Sequence, residues 1–302
     1  MYSRFFNIAV CLMWLSTMTW LITQKVVPSL WVGQPPNYRT ILEAQKREPQ
    51  VGWHLWINGR QLGWALSTLE AQEQGPKELR CFVHFDELPL AELTSGLGRG
   101  LFQLIERPSG KLEMDVQSTL TIDSLDKLLR FDTRIQLESL KNVLRMEGIV
   151  NGMQLRMEVR CGDFSYSSEV PLPQHALLSD ALTPQTQLPH LATGQTWTVP
   201  ALSPLRPTSN LVEMLYARVE GKGMVRWNEE MYDAWLVVYR NDPSVNYGSD
   251  SATRGKVWVL QDGTVIKQQT MIFDSELSFV RMSPAESERL VKMCKEKAEK
   301  DE

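Results

Sequence analysis

Three dipeptides constrain this chain most: Asn58-Gly59, Asn151-Gly152 and Asp262-Gly263 each stand between two apolar or alternating runs. A two-residue β-hairpin needs positive φ at its central positions, and Asn-Gly and Asp-Gly meet that need at little steric cost. The first joins GWHLWI to RQLGWALSTLE, the second VLRMEGIV to MQLRMEVRC, and the third KVWVLQ to TVIKQQTMIF. Met153, Leu155, Met157, Val159 and Cys161 alternate with polar partners, as one face of a half-buried strand does. LRCFVHF, KLEMDVQSTLTI, FDTRIQLESL and DAWLVVYR add strands of ordinary length. The expectation is a mainly β protein: an N-terminal transmembrane helix, a curved antiparallel sheet or half-barrel body in one or two lobes, and a short C-terminal helix.

The transmembrane expectation rests on Phe5 to Thr23, FFNIAVCLMWLSTMTWLIT, which holds no charge and is bounded by Arg4 and Lys25. About 20 helical residues at about 1.5 Å each cover a hydrocarbon core of about 30 Å. A cleaved signal peptide wants a small-x-small exit, and the exit here is TWLITQKVV, so an uncleaved anchor is the better reading. Cys11 follows Val10 inside the run, which does not suit a lipoprotein signal. Lys25, Arg39, Lys46 and Arg47 outnumber Arg4 and the amino terminus and favour a body kept inside. A short tail before a signal-like segment favours a translocated body, and long domains cross largely regardless of charge. The expected topology is single-pass with the body on the periplasmic side, residues 5–23 meeting membrane lipid.

The domain reading places the anchor at 1–25, a spacer with a short helix at 26–50, and a first β lobe at 51–170. A proline-rich crossing follows at 171–210, then a second lobe at 211–282 and a charged helix at 283–302. VVPSLWVGQPPN is an extended spacer, and YRTILEAQKRE forms a juxtamembrane helix. ELPLAELTSGLGRGLFQLI reads as a glycine-broken loop with a helical turn. The crossing carries seven prolines, which exclude a central strand, while its leucines and Trp197 need something to pack against. Ser283-Pro284-Ala285-Glu286 has the capping-box pattern, and Leu290, Val291, Cys294 and Ala298 form a narrow apolar stripe behind it.

A formal net charge of −4 argues against a polyanion-binding surface, so no nucleic-acid partner is expected. Cys81, His84 and Asp86 in LRCFVHFDEL resemble a nucleophile, base and orienting acid. Alternation along a strand puts His84 and Asp86 on one face and Cys81 on the other, which separates nucleophile from base. His54 reads as a strand residue near the first turn, and His175 and His190 lie in the crossing without a ligand-spaced partner. Gly96, Gly98 and Gly100 follow no clear strand and open no clear helix, and no phosphate loop, zinc-hydrolase helix or GxSxG elbow is present. No catalytic residue, cofactor or metal site is assigned. Cys81 and Cys161 are the candidate disulfide, with two isolated buried thiols as the alternative.

The opening hairpin Trp53 to Ala65 with Leu62-Gly63-Trp64, the stretch GQTWTVP from Gly194 to Pro200, and the closing hairpin VWVLQDGTVIKQ from Val257 to Gln268 together resemble bacterial envelope proteins of unknown function. Those proteins have an incomplete antiparallel barrel similar to the lipoprotein-carrier fold that cups acyl chains. The resemblance spans most of residues 51 to 282 at the level of pattern. It implies a non-enzymatic envelope protein that binds an apolar ligand or a partner protein on a curved sheet. The alternative is a scaffold with a filled core acting through protein contacts, and an enzyme with an unrecognised site stands third.

Overall fold

The computed structural model describes residues 2–22, 35–71, 75–87, 113–137, 140–162, 164–172, 177–202, 212–241, 253–272 and 275–301. The glycine-broken segment at 88–112, with Gly96, Gly98 and Gly100, and His175 in the crossing lie outside the described residues.

The strands run β1 (Gln50–Ile57), β2 (Arg60–Ala71), β3 (Lys77–Phe85), β4 (Met114–Ile122), β5 (Leu128–Leu137), β6 (Leu140–Asn151), β7 (Gln154–Cys161) and β8 (Phe164–Pro171). After the crossing come β9 (Ser179–Asp180), β10 (Thr196–Leu202), β11 (Val212–Trp227), β12 (Glu230–Asn241), β13 (Thr253–Val259), β14 (Val265–Ile272) and β15 (Ser275–Arg281). All belong to one 15-stranded sheet in the order β8-β7-β6-β5-β4-β3-β2-β1-β15-β14-β13-β12-β11-β10-β9. The chain starts at the sheet's centre, meanders out to one edge, crosses to the other edge and meanders back until β15 pairs with β1. Every pairing is antiparallel except β9 with β10.

Connectivity alone forces this sheet to curl. Laid flat at about 4.8 Å per strand it would be roughly 67 Å wide. The chain from Pro171 at one edge to Ser179 at the other has about eight Cα steps, which reach roughly 28 Å at most. Register shifts at Leu55/Trp56, Thr121/Ile122, Val219/Gly221 and Trp258/Val259 supply local bends of the kind that add curvature and twist. The result is one large curved, open sheet.

Two helices flank the strands at its centre. α2 (Tyr38–Gln45) starts at Asn37, whose side chain accepts from the Thr40 amide at 3.1 Å while Thr40 Oγ1 accepts from the Asn37 amide at 3.4 Å. Its Tyr38, Leu42 and Gln45 are buried, a spacing that puts all of them on one face. Tyr38 and Leu42 join the main core with strand residues from β1 to β15 and with Leu177, Leu178, Leu182 and Leu188 of the crossing. The segment expected as a juxtamembrane helix thus packs one face against the body, while Arg39 and Glu43 on its other face are exposed. α3 (Pro284–Asp301) opens with the expected capping box, the Ser283 amide donating to Glu286 Oε2 at 2.8 Å. It packs on β1 through Ser287, which accepts from the Gly52 amide at 3.1 Å; a Cβ on Gly52 would lie 2.7 Å from Met282 Sδ.

α1 (Tyr2–Leu21) forms where the uncharged run predicts a helix. Among the described residues, however, no helix is long and apolar enough to cross a membrane, which corrects the expectation of a transmembrane helix in that form. Ser3, Arg4, Asn7, Ser16, Thr17 and Thr19 dilute its apolar content. Phe6, Leu12, Trp14 and Trp20 are all exposed.

The proline-rich crossing contributes β9 and β10, and Pro200 lies within β10. β9 pairs only with Ala201 and Leu202, so Pro200 occupies a stretch where β10 is itself an edge and no ladder donor is lost.

Candidate functional site

The side of the sheet that faces α2 carries an apolar lining interrupted by one row of small polar groups. Ser67, Cys81, Ser118 and Thr133 are cross-strand neighbours on β2, β3, β4 and β5. Each sits at a core-facing position among residues such as Ala65, Val83, Val116 and Ile135, and each is buried. Buried hydroxyls need partners, and the row supplies them. Trp53 Nε1 donates to Ser67 Oγ at 3.2 Å, Ser67 Oγ lies 3.7 Å from Cys81 Sγ, and Ser118 and Thr133 share a bond of 3.0 Å.

α2 and the crossing face this row. The Leu178 amide donates to Tyr38 Oη at 2.9 Å, and Thr186 Oγ1 donates to Gln45 Oε1 at 2.7 Å. The space left between them is a cavity of about 90 Å³, bounded by Tyr38, Cys81, Phe131, Leu178 and Asp180. A second cavity of about 70 Å³ lies towards β10–β14, bounded by Leu202, Leu215, Tyr239 and Val257. Ser179, Asp180, Gln185 and Leu202 form part of both walls.

Asp180 is a carboxyl altered by this interior. Its Oδ1 accepts from the Leu182 amide at 2.9 Å and its Oδ2 from Thr183 Oγ1 at 3.4 Å, closing a turn of the crossing. Burial outweighs those bonds and pushes its carboxyl up to about 6. Burial also pushes the Cys81 thiol up to about 12, which leaves it a neutral thiol at neutral pH.

The opposite face of β3–β7 is charged. Arg134, Arg145 and Arg160 are paired across β5, β6 and β7, and Asp132, Glu147 and Glu158 form the adjoining row. Like charges directly opposite one another repel, and the adjoining row compensates. Arg145 bonds Asp132 at 2.9 Å and contacts Glu147, and Arg134 bonds Asp132 at 2.8 Å. Asp132, Arg134, Arg145 and Glu147, with Arg80 and Arg130, line a groove of about 530 Å³.

Of the sequence-derived candidates, Cys81 points into the core, while His84 lies on the charged face. His84 Nδ1 is 2.6 Å from Asp115 Oδ1 and its Nε2 is 3.4 Å from Asp86 Oδ1, with the Trp64 ring 5.4 Å away. The sheet thus separates thiol from imidazole as alternation requires. Cys81 and Cys161 are both free, which corrects the candidate disulfide. Their strands, β3 and β7, are four apart in the sheet, roughly 19 Å at about 4.8 Å each, beyond the reach of a disulfide. His54 is a β1 residue within 3.6 Å of Glu286, and His190 sits exposed in the crossing at φ 60°. Among the described residues no group of three or more His, Cys, Asp or Glu side chains could hold a metal ion.

Asp180 and the polar row escape a reading by motif. The signal available for the row is register: Ser67, Ser118 and Thr133 occupy the parity of Ala65, Val116 and Phe131 in their strands. For Asp180 it is the local Asp-x-Leu-Thr turn chemistry.

No protein-family model matches this chain, and no curated protein matches it either. Among solved structures it is similar to a β-barrel-like protein of the domain of unknown function DUF1849 from Brucella abortus. That likeness has 10% identity and a TM-score of 0.46, and covers 78% of this chain and 95% of that one. It is also similar to a DUF1089 family protein from Pseudomonas aeruginosa, with 14% identity and a TM-score of 0.33, over 67% of this chain and 87% of that one.

Proposed function

We propose that this chain is a non-enzymatic, membrane-tethered protein of the bacterial envelope, with an extracytoplasmic body that acts as a scaffold through protein contacts. The observation that carries this reading is the occupied interior. α2 and the crossing leave cavities of about 90 and 70 Å³, whereas pockets for small molecules span about 300–1,000 Å³. The roomier depression, the groove of about 530 Å³, lies on the charged face. Alternating rows of arginine and carboxylate suit the polar surface of a protein better than an acyl chain. Tethering is supported by α1, whose Phe6, Leu12, Trp14 and Trp20 stand exposed.

A second reading keeps the apolar ligand, with the body working like the lipoprotein-carrier fold. It is favoured by the wall that the two cavities share, Ser179, Asp180, Gln185 and Leu202. A shift of that short segment would merge them into one larger space.

Native mass spectrometry of the full chain released from membranes in mild detergent separates the two. The scaffold reading expects a lipid-free mass for the body. A lipid or other apolar molecule retained at one per chain would overturn it in favour of the carrier reading.

A further inference from the structure

The curved sheet is open, and its two edges are unequal: β9 has two residues, whereas β8 (Phe164–Pro171) has eight. The parity of the β8 ladder follows from one bond. The Leu172 amide donates to the Met153 carbonyl at 2.8 Å, in line with the β7–β8 register. Backbone groups of an antiparallel strand point alternately to one side and the other. Tyr166, Ser168 and Val170 therefore bond to β7, and the amides and carbonyls of Ser165, Ser167 and Glu169 point away from it. Ser165, Tyr166, Ser167 and Glu169 are exposed. Pro171 shares the outward parity, so the proline closing the edge costs the β7 ladder nothing.

We propose that β8 is a self-pairing edge, and that its partner is β8 of a second copy of this chain, antiparallel about a two-fold axis at Ser167. In that register Ser167 faces Ser167 of the second copy and Ser165 faces Glu169, giving a closed, isologous contact in which outward amides meet outward carbonyls. Pro171 falls outside the paired run. Each Glu169 meets a serine and keeps its bond to Arg156 on its own β7, 2.8 Å away. Sliding the register two residues one way sets Pro171 opposite Ser165 and forfeits a donor at both ends. Sliding it four sets Glu169 against Glu169. Sliding it two residues the other way shortens the paired run from 164–170 to 164–168, so run length and side-chain chemistry together favour the register centred on Ser167, which places half-exposed Tyr166 beside Ser168 of the second copy. The ladder geometry carries this inference whether or not the concave side holds a ligand.

The test uses the full chain in mild detergent, followed by sedimentation over a range of concentrations. The wild type is expected to self-associate reversibly. Ser167→Pro removes an outward donor and no internal bond, so it should weaken association at least tenfold with an unchanged circular dichroism spectrum. Should the proline disturb the strand, Ser167→Lys serves in its place, because it opposes two like charges at the axis. In a Cys11→Ser, Cys161→Ser, Cys294→Ser background, Ser167→Cys should cross-link into a covalent dimer on mild oxidation, and Ser168→Cys, facing Tyr166, should not. A monomer at every concentration overturns the proposal. So does association that folded Ser167→Pro and Ser167→Lys leave intact, or cross-linking as efficient at 168 as at 167.

Discussion

Arg281 donates through Nη2 to Glu48 Oε2 at 2.6 Å, tying β15, where the returning half of the sheet meets β1, to the turn that follows α2. Its Nη1 donates to the carbonyls of Thr186 and Val265, each at 3.1 Å, and the guanidinium lies 5.7 Å from the Trp53 ring. One side chain thus joins β15, β14, the crossing and the end of α2. Only 2% of it is exposed, against 37% of the Glu48 side chain. Burial pulls the Arg281 pKa down and Glu48 works against that pull.

Arg281→Met keeps an apolar stem and removes the donors. The Val265 carbonyl loses a donor and Glu48 its counter-charge, while the Thr186 carbonyl keeps the Val265 amide at 3.2 Å, so the expected destabilisation is on the order of 2 kcal/mol. Glu48→Gln keeps an acceptor beside the guanidinium at a partly wet site and should cost about 1 kcal/mol. Urea unfolding followed by tryptophan fluorescence ranks them. Equal, negligible losses would show that the four elements are held together without this side chain.

The linkage at Arg281 is invisible in sequence, because Glu48, Thr186 and Val265 are far from it along the chain. Local chemistry was legible. Asn58 and Gly59 both have positive φ, 49° and 82°, as an Asn-Gly hairpin turn requires. The second turn is displaced by one residue: Asn151 pairs with Gln154 and the loop is Gly152-Met153. Leu155, Met157 and Val159 face the core in that register while Met153, of the same parity, is exposed in the loop; both turn positions keep the same faces together, so alternation could not choose between them. Asn228-Glu229 turns β11 into β12 with φ of 46° and 67°, and without glycine it carried too weak a signal to be read. The role of α2 was illegible for a different reason. Tyr38, Leu42 and Gln45 make an ordinary amphipathic face, and only the long-range pairing of β1 with β15 creates the interior that it fills.

Gly152 and Gly263 make a matched pair for testing the turns. Both have positive φ, 62° and 92°, but a Cβ at Gly152 meets nothing within 4 Å, whereas at Gly263 it would lie 2.7 Å from Pro189 Cα. Gly152→Val should cost about 1–2 kcal/mol from backbone strain alone. Gly263→Val adds a clash with the docked crossing, whose Leu188 amide donates to the Gly263 carbonyl at 2.8 Å, and should cost roughly 3 kcal/mol. Thermal melts that show the two variants equally stable would mean that the crossing yields freely to the side chain.

Asp180 gives the interior a pH signature. Its carboxyl is raised from 3.8 to about 6 in the folded chain. Between those values the folded state holds a proton that the unfolded state has lost. Stability from this group is therefore fully present below about pH 4 and is lost as pH rises through about 6, by roughly 3 kcal/mol. Asp180→Asn keeps an acceptor for the Leu182 amide and cannot ionise. Its stability should fall less than that of the wild type between pH 4 and 7. Parallel curves across that range would place the Asp180 carboxyl in water.

The last prediction sets chemistry against packing. If the body works through protein contacts, Cys81→Ala, His84→Ala and Asp86→Asn should leave its envelope partners bound wherever the fold survives, since none of these groups would be making or breaking bonds. Met157 is 0% exposed on the core-facing side of β7. Met157→Lys forces a charge into apolar surroundings at a cost of several kcal/mol, so it should abolish partner capture together with the native melt. Affinity purification of the full chain from cross-linked membranes, alongside circular dichroism of each variant, reads both effects. His84 is the informative position, because it holds Asp115 at 2.6 Å on the face that carries the charged groove. Loss of function in a well-folded His84→Ala protein, with Met157→Lys still active, would sink the scaffold reading and reopen the case for an enzyme built around that imidazole.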